Sequence, residues 1–341
     1  AAIGDDAFFN HVSLERVTIP EGLAIIGKRA FKACRRLERI NIPSSVAIIE
    51  DEAFLDTALV ALSLPRGLQS LGGNALVTYG AHHGENPTLH ELQVEDGNER
   101  FYLVDNMLLE RKPNGMAKLL LCLGGQSVVR IPQEVNELAP YAFNGVADIE
   151  EFHLSERITT VGMRGLGLDC LVPHVVIELA EPLDGHSEIS LHFPGTDRSR
   201  QQQMLALSVP DHVNARIILE HYDTAIINAS SFDALHAERM ALYDQAIRLV
   251  ARLKDPIFLT EVNRNMCERA LQTNIGDICV EAAKHDDRRI MDDLLNLGFV
   301  NNDNINEVID RVGAVQDASM TGYLLEAKRE RFGMAAFDFD L

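Results

Sequence analysis

The sequence predicts an α/β chain: a solenoid of 22–23-residue repeats with one short strand each, then a small β module, then a C-terminal α-helical array. Three observations predict it. Ala7-Phe8 returns as Ala30-Phe31 and Ala53-Phe54 at a period of 23, and a shortened fourth copy runs from Leu71 to Ala75-Leu76. Between these pairs, Leu14-x-x-Val17-x-Ile19-Pro20 returns as Leu37-x-x-Ile40-x-Ile42-Pro43 and Leu59-x-x-Leu62-x-Leu64-Pro65. From about Ser231 the apolar period becomes helical, with Tyr243, Ala246, Ile247, Val250 and Ala251 on one face. A unit of this length cannot bury its apolar face alone, so it must stack on copies of itself.

Taking the repeat in order, a period of two puts Val17 and Ile19 on the buried side of a strand and Thr18 on the wet side. The Pro that follows each strand (Pro20, Pro43, Pro65) has no N–H to extend a ladder and marks where the chain leaves the sheet. Leu23, Val46 and Leu68 then turn inward, and Ile26, Ile49 and Leu71 begin a return leg carrying the Ala-Phe pair. Phe8, Phe31 and Phe54 are expected to stack as a ring column.

The string Ile26-Gly27-Lys28-Arg29-Ala30-Phe31-Lys32-Ala33-Cys34-Arg35-Arg36-Leu37-Glu38-Arg39-Ile40-Asn41-Ile42-Pro43 resembles the BspA-like leucine-rich repeat, whose pattern runs I-G-x-x-A-F-x-x-C-x-x-L-x-x-I-x-I-P. The resemblance covers residues 3–76, resumes at 89–94 and returns at 129–166. There Ile131-Pro132 and Ala142-Phe143 recur as Leu154-Ser155 and Gly165-Leu166, a degraded copy such as caps a solenoid. It implies a leucine-rich-repeat solenoid over 1–171. The segment from Gly97 to Cys122 resembles a family variant whose return leg is a hairpin reading N-x-x-Y-x-x-x-D-G-x-L, placed here at about 97–123. Asn106 stands where that Gly would be, and Asn accepts positive φ.

The polar stretch Tyr79–Pro87 reads as a long loop, and its His82-His83 lacks the spaced Cys or second His pair of a metal site. Val175–Leu179, Glu188–Phe193 and Met204–Val209 read as the strands of a β module over 172–228, with Gly195–Gln203 as a polar loop. The helical domain is set at 229–341, with Leu253-Lys254-Asp255-Pro256 ending its first clear helix. Within it Ile278, Cys279, Ala282, Ala283 and Leu294-Leu295 return 30 residues later as Val308, Ile309, Val312, Gly313 and Leu324-Leu325. Paired short helices at this spacing resemble ankyrin-type repeats, although the Thr-Pro-Leu-His signature is absent and an ordinary helical array explains the same apolar spacing.

The net charge is −20, and residues 1–76 hold 8 Lys/Arg and 9 Asp/Glu against 23 and 42 in the rest. A surface of that sign repels phosphate backbones, which argues against nucleic acid as a partner. Lys28, Arg29, Lys32, Arg35, Arg36 and Arg39 form a basic cluster read as a solvated face. No apolar run is long enough for a membrane helix, so no membrane insertion is expected. Five scattered cysteines (Cys34, Cys122, Cys170, Cys267, Cys279) without a Cys-x-x-Cys fit reduced core thiols.

Nucleophile elbows, phosphate loops and metal motifs are absent, and no cofactor is expected. The glycines of Gly162–Gly167 fit the repeat register. Asp286-Asp287 and Asp292-Asp293 read as a solvated helix face, and His221-Tyr222-Asp223 has no nucleophile attached. The leading expectation is a non-catalytic protein-protein interaction module using the concave solenoid face and the helical half. Its site residues are the outward positions Arg16, Thr18, Arg39, Asn41, Ser63, Gln93, Arg130 and His153, facing a protein or peptide partner. The family resemblance implies binding of host or matrix proteins at bacterial surfaces, an adhesin-type role if a signal peptide precedes. The chain starts inside a repeat without Met, as if trimmed, while free thiols and the helical end favour a cytoplasmic scaffold. The remaining alternative is an enzyme with its chemistry in the C-terminal half.

Overall fold

The structure, a computed structural model, describes residues 1–77, 89–168, 170–183, 185–193, 207, 211–227, 238–315 and 318–333. It forms two compact units, Ala1–Ile218 and Leu219–Leu341. The loop expected at Tyr79–Pro87 with its His82-His83, the loop at Gly195–Gln203, and the strand at Met204–Val209 except Leu207 lie outside the described residues.

In the first unit the opening turns carry β1 (Ala2–Ile3), β2 (Arg16–Thr18), β3 (Ile25–Ile26), β4 (Arg39–Asn41), β5 (Ile48–Ile49), β6 (Ala61–Leu64), β7 (Ser70–Leu71) and β8 (Glu91–Val94). Each turn therefore has two strands, one more than the sequence predicts. The expected strands pair in parallel, β2 with β4 and β6 with β8. The added strands are the starts of the return legs and pair in the order β1-β3-β5-β7. Two residues are too few to show a period; only stacking at 22–23-residue intervals turns Ile25-Ile26 and Ile48-Ile49 into a ladder.

Side chains from both sheets meet in one core of Leu, Ile and Phe. Phe31 and Phe54 are buried, Phe8 is exposed at the end, and the predicted column is present: Phe8 on Phe31 and Phe31 on Phe54 stack with nearly parallel ring planes and centroids 5.1 and 5.5 Å apart. Burying each such ring contributes about 1.5–3 kcal/mol. The return leg coils tightly enough to force positive φ twice per repeat. Asp6, Arg29, Glu52, Asn74, Tyr141 and Arg164, each just before the Ala-Phe position, have φ between 53° and 59°. Asn10, Ala33 and Asp56, two places after the Phe, have φ of 57–61°. Gly72 marks the closest approach of adjacent turns, since a Cβ there would lie 2.3 Å from the backbone nitrogen of Asp51.

The hairpin of β9 (Phe101–Val104) and β10 (Met107–Arg111) occupies the return-leg position as expected, with β11 (Ala117–Cys122) antiparallel to β10. Its turn residues Asp105 and Asn106 have φ of 46° and 60°, so Asn106 accepts the conformation of the Gly it replaces. Asn98 fastens the hairpin to the preceding turn. Its buried amide donates to the carbonyls of Pro65 and Leu68 and accepts from the N–H groups of Arg100 and Phe101.

Beyond it come β12 (Val128–Arg130), β13 (Val135–Leu138), β14 (Glu151–Ser155), β15 (Thr160–Val161), β16 (His174–Leu183) and β17 (His186–His192). On the return leg, β13 joins β11 and β15 in parallel. The small β module is the β16–β17 hairpin, and it continues the solenoid: β16 pairs in parallel with β14 from Glu151↔His174 to Ser155↔Glu178. The chain thus does not divide at 171, because the next rung keeps the sheet although it has lost the repeat motif. The assignment of 172–228 to strands and loops also misses α1 (Ala215–Ile227). Asn214 caps it by accepting from the N–H of Ile217, and Ala215, Ile218, Leu219, Tyr222 and Ile226 are buried at helical spacing. The boundary between the two units falls inside this helix.

The second unit contains the end of α1, then α2 (Glu238–Lys254), α3 (Glu261–Lys284), α4 (Arg288–Asn296), α5 (Ile305–Ala314) and α6 (Ala318–Phe332). The two copies related by 30 residues are the pairs α3/α4 and α5/α6, and Ile278, Cys279, Ala282, Leu294, Val308, Val312 and Leu324 are buried in them. At 24 residues α3 is longer than the short helices expected. Thr260 and Asp287 cap α3 and α4. A buried ion pair joins α1 to α2: Arg252 donates from Nε and Nη2 to the two carboxylate oxygens of Asp223 at 2.6 and 3.1 Å, and to the carbonyls of Asp255 and Ile257.

Candidate functional site

Two rows of outward side chains run across the strands of the first four turns. Alternation sends Val17, Ile40, Leu62 and Leu92 into the core, leaving Arg16 and Thr18, Arg39 and Asn41, Ala61 and Ser63, and Glu91 and Gln93 exposed. Register sets Arg16 beside Arg39 and Thr18 beside Asn41 on β2 and β4. On β6 and β8 it sets Ala61 beside Glu91 and Ser63 beside Gln93. The two strand pairs are linked by the N–H of Val60 donating to the carbonyl of Glu38 at 3.3 Å.

Exposure alone does not make these residues equivalent. Asn41 is used within the fold: its Nδ2 donates to the carbonyl of Ile19 at 3.0 Å and its Oδ1 accepts from the same residue's N–H at 2.8 Å. The ladder cannot make these bonds because the strands end at Pro20 and Pro43, so the amide side chain replaces it. Among the described residues, the side chains of Arg16, Thr18, Arg39, Ser63 and Gln93 have no hydrogen-bond or ion-pair partner.

The basic cluster separates in the same way. Arg29 pairs with Asp6 at 2.7 Å, Lys32 with Glu52 at 2.6 Å, and Lys28 with Asp51 at 3.8 Å. Arg36 lies 3.8 Å from Glu15 with both side chains about two-thirds exposed, a contact worth little. Arg35 is exposed and has no partner among the described residues. The guanidinium of Arg29 holds the carboxyl of Asp6 below the usual carboxylate range through its hydrogen bond first.

Arg130 and His153 lie in a different sheet, β12-β14-β16-β17, and are engaged with each other. Arg130 donates from Nη1 to Nδ1 of His153 at 2.9 Å and from Nη2 to Glu151 at 3.0 Å. His153 Nε2 meets the same Glu151 oxygen at 2.5 Å. Because Arg130 can only donate, Nδ1 accepts and the imidazole proton sits on Nε2. The hydrogen bond from His153 first, and then the charge of Arg130, keeps the Glu151 carboxyl low. His153 is only 7 % exposed, so it is a packed residue of the sheet and not an open contact. Sequence reasoning overlooked the next positions along this row, where His174 stands beside Glu151 and against His192, ring centroids 4.9 Å apart.

Groups that sequence reading weighed as chemistry have structural employment. Asp223 is taken by Arg252, and Asp287 caps α4 and accepts from the Tyr243 hydroxyl. Asp292 is bonded by Tyr323, and Asp293 by Lys254. A Cβ at Gly162 would meet the Pro140 nitrogen at 2.5 Å, so packing between turns explains that glycine. Cys34, Cys122, Cys267 and Cys279 are buried, and burial pushes the Cys122 thiol up to about 11 and those of Cys267 and Cys279 to about 12. Among the described residues no three His, Cys, Asp or Glu side chains gather closely enough to hold a metal ion, and no helix is long and apolar enough to cross a membrane.

Residues 1–81 and 125–167 match the BspA type leucine rich repeat region in six copies. Repeats of this kind are generally non-catalytic binding modules. The chain is similar to a leucine rich cell surface protein from Faecalibacterium prausnitzii: 24% identity, 50% of this chain and 44% of that one covered, TM-score 0.43. It is also similar to the pneumococcal vaccine antigen PcpA, at 29% identity over 48% of this chain and 39% of that one, TM-score 0.42. A leucine-rich repeat protein from Bacteroides ovatus matches at 21% identity over 50% and 53%, TM-score 0.32. The chain thus spans less than half the length of the first two structures. No curated protein matches it.

Proposed function

We propose that this is a non-catalytic interaction protein whose first unit docks a protein or peptide segment across the outward rows of β2, β4, β6 and β8. One observation carries the reading: Arg16, Thr18, Arg39, Ser63 and Gln93 stand exposed on neighbouring strands, and their side chains have no hydrogen-bond or ion-pair partner among the described residues. The corresponding residues of the second sheet, Arg130 and His153, have already spent theirs on Glu151. Four strands about 4.8 Å apart make a face roughly 14 Å across, which suits an extended segment or a protein edge better than a metabolite.

The test places a photo-crosslinking residue at Ser63 in the full chain, and a second at the exposed Ser70 of the return-leg sheet. A partner adduct from Ser63 and none from Ser70 is expected. Adducts that form only from Ser70 would put the docking surface elsewhere.

A further inference from the structure

Arg16 and Arg39 form an arrangement that a fold does not favour for its own sake. They are direct register partners on parallel strands, so two guanidinium-bearing side chains start about 4.8 Å apart. Like charges placed opposite each other destabilise a sheet. No carboxylate of the described residues pairs with either, although Glu15 and Glu38 are exposed just before the two strands. The same chain pairs Arg29 with Asp6 and Lys32 with Glu52 a short distance along the repeat. Arg35, exposed and without a partner among the described residues, adds a third cation three residues before the strand-leading Glu38. All this lies on a protein of net charge −20.

We infer that the docked segment is acidic, and that Arg16 and Arg39 together take two of its carboxylates. This rests on the docking reading above and names the chemistry of the partner. Guanidinium forks bind carboxylates through paired N–H donors, and two forks on adjacent rungs can accept two acids. In an extended segment, residues i and i+2 point the same way and lie about 6.8 Å apart, a spacing two flexible Arg side chains can reach. Beyond the pair, Ala61 leaves the third rung low, and the hydroxyls of Thr18 and Ser63 are free to bond the segment's backbone. At the fourth rung the charge reverses at Glu91, which disfavours a uniformly acidic chain and favours one whose acids are confined to one end. Nucleic acid would also suit the two arginines, but a long polyanion would meet the acidic remainder of the protein.

The experiment measures binding of fluorescent peptides of about twelve residues to the full chain by anisotropy, comparing Asp-x-Asp peptides with Asn-x-Asn versions. Wild type should bind the acidic form about tenfold or more tightly than the amide form, with affinity falling as salt rises. Arg16→Ala with Arg39→Ala should lose about tenfold or more, and Arg16→Lys with Arg39→Lys, which keeps charge but not the fork, should lose less. The melting temperature of the double alanine variant should hold or rise slightly, because a like-charge pair is removed.

Equal binding of the amide peptide, absence of binding to any acidic peptide, or retention of affinity in the alanine variant would overturn the inference. So would tighter, Arg16- and Arg39-dependent binding of a single-stranded oligonucleotide. The two readings fail separately. A Ser63 adduct that survives the double alanine change leaves the docking face standing and removes its acidic partner, whereas adducts from Ser70 alone remove both.

Discussion

At the scale of single residues, the solenoid's tight coiling is recorded in backbone conformation. Ala33 has φ of 61°, a region that costs an L-residue about 1–2 kcal/mol relative to right-handed geometry. Glycine adopts it without a Cβ penalty but loses about 0.5–1 kcal/mol more conformational freedom on folding. Ala33→Gly should therefore stabilise the protein slightly, by up to about 1 kcal/mol. Ala30→Gly, one turn position away in the buried Ala-Phe pair, should destabilise it. Chemical denaturation of both variants checks the pair, and a loss of stability in Ala33→Gly would show that strain at this position is not what limits the repeat. The Ala-Phe pairs were legible as a period, but not the positive φ beside them. The residues there are Asp, Arg, Glu, Asn, Tyr and Ala, and only the first and fourth carry any turn preference.

At the scale of elements, the hairpin β9–β10 and its follower β11 are held at both ends by polar groups. Asn98 joins them to the turn before. On the other side Glu137 of β13 accepts from Lys112 at 2.9 Å and from Lys118 at 2.6 Å. Burial pushes the Glu137 carboxyl up, but the hydrogen bonds and charges of Lys118 and Lys112 outweigh it and hold it below its ordinary 4.5. A carboxylate whose folded pKa is depressed contributes stability that is complete above its unfolded pKa and is lost as pH falls through the folded value. Wild type should therefore be more stable than Glu137→Gln at about pH 6, and the difference should begin to shrink as pH falls below the ordinary 4.5 and go on shrinking through the lower folded value. Denaturant midpoints across that range measure it. A difference that stays constant with pH would assign Glu137 a packing role instead.

At the scale of the whole molecule, the repeat motif and the sheet do not end together. The motif fades by Gly165-Leu166, whereas the sheet continues through β16 and β17. A chain stopped at 171 would lose Val175 and Ile177 from the core and leave the edge of β14 unpaired. A chain stopped at Ile218 keeps the compact first unit. The 1–218 fragment should unfold in one cooperative transition, while 1–171 should melt at least about 5 °C lower or aggregate. Matching melting curves would mean that the β16–β17 hairpin adds nothing to the repeats.

The return-leg hairpin with its Asp105-Asn106 turn was legible through the family resemblance. The residues by themselves determined the phase of the strands that hold Val17, Ile40, Leu62, Leu92, Val129 and Phe152, the Phe8-Phe31-Phe54 column, and the change to helices beyond Tyr243. These follow from periods of 2, 3.6 and 23, and a period is a property of the chain alone. Only the tertiary structure decided which outward residues are open. Thr18, Asn41 and Ser63 hold the same place in the repeat, yet the Asn41 side chain is bound to Ile19, 22 residues away, and the hydroxyls of the other two have no partner among the described residues. Arg39 and Arg130 likewise share a strand face by period but not by surroundings, since Arg130 meets Glu151 and His153 from the following rung. Alternation fixes the side of the sheet on which a group lies. Whether that group is satisfied depends on what the next turn brings within about 3 Å of it, and that is settled only when the turns stack.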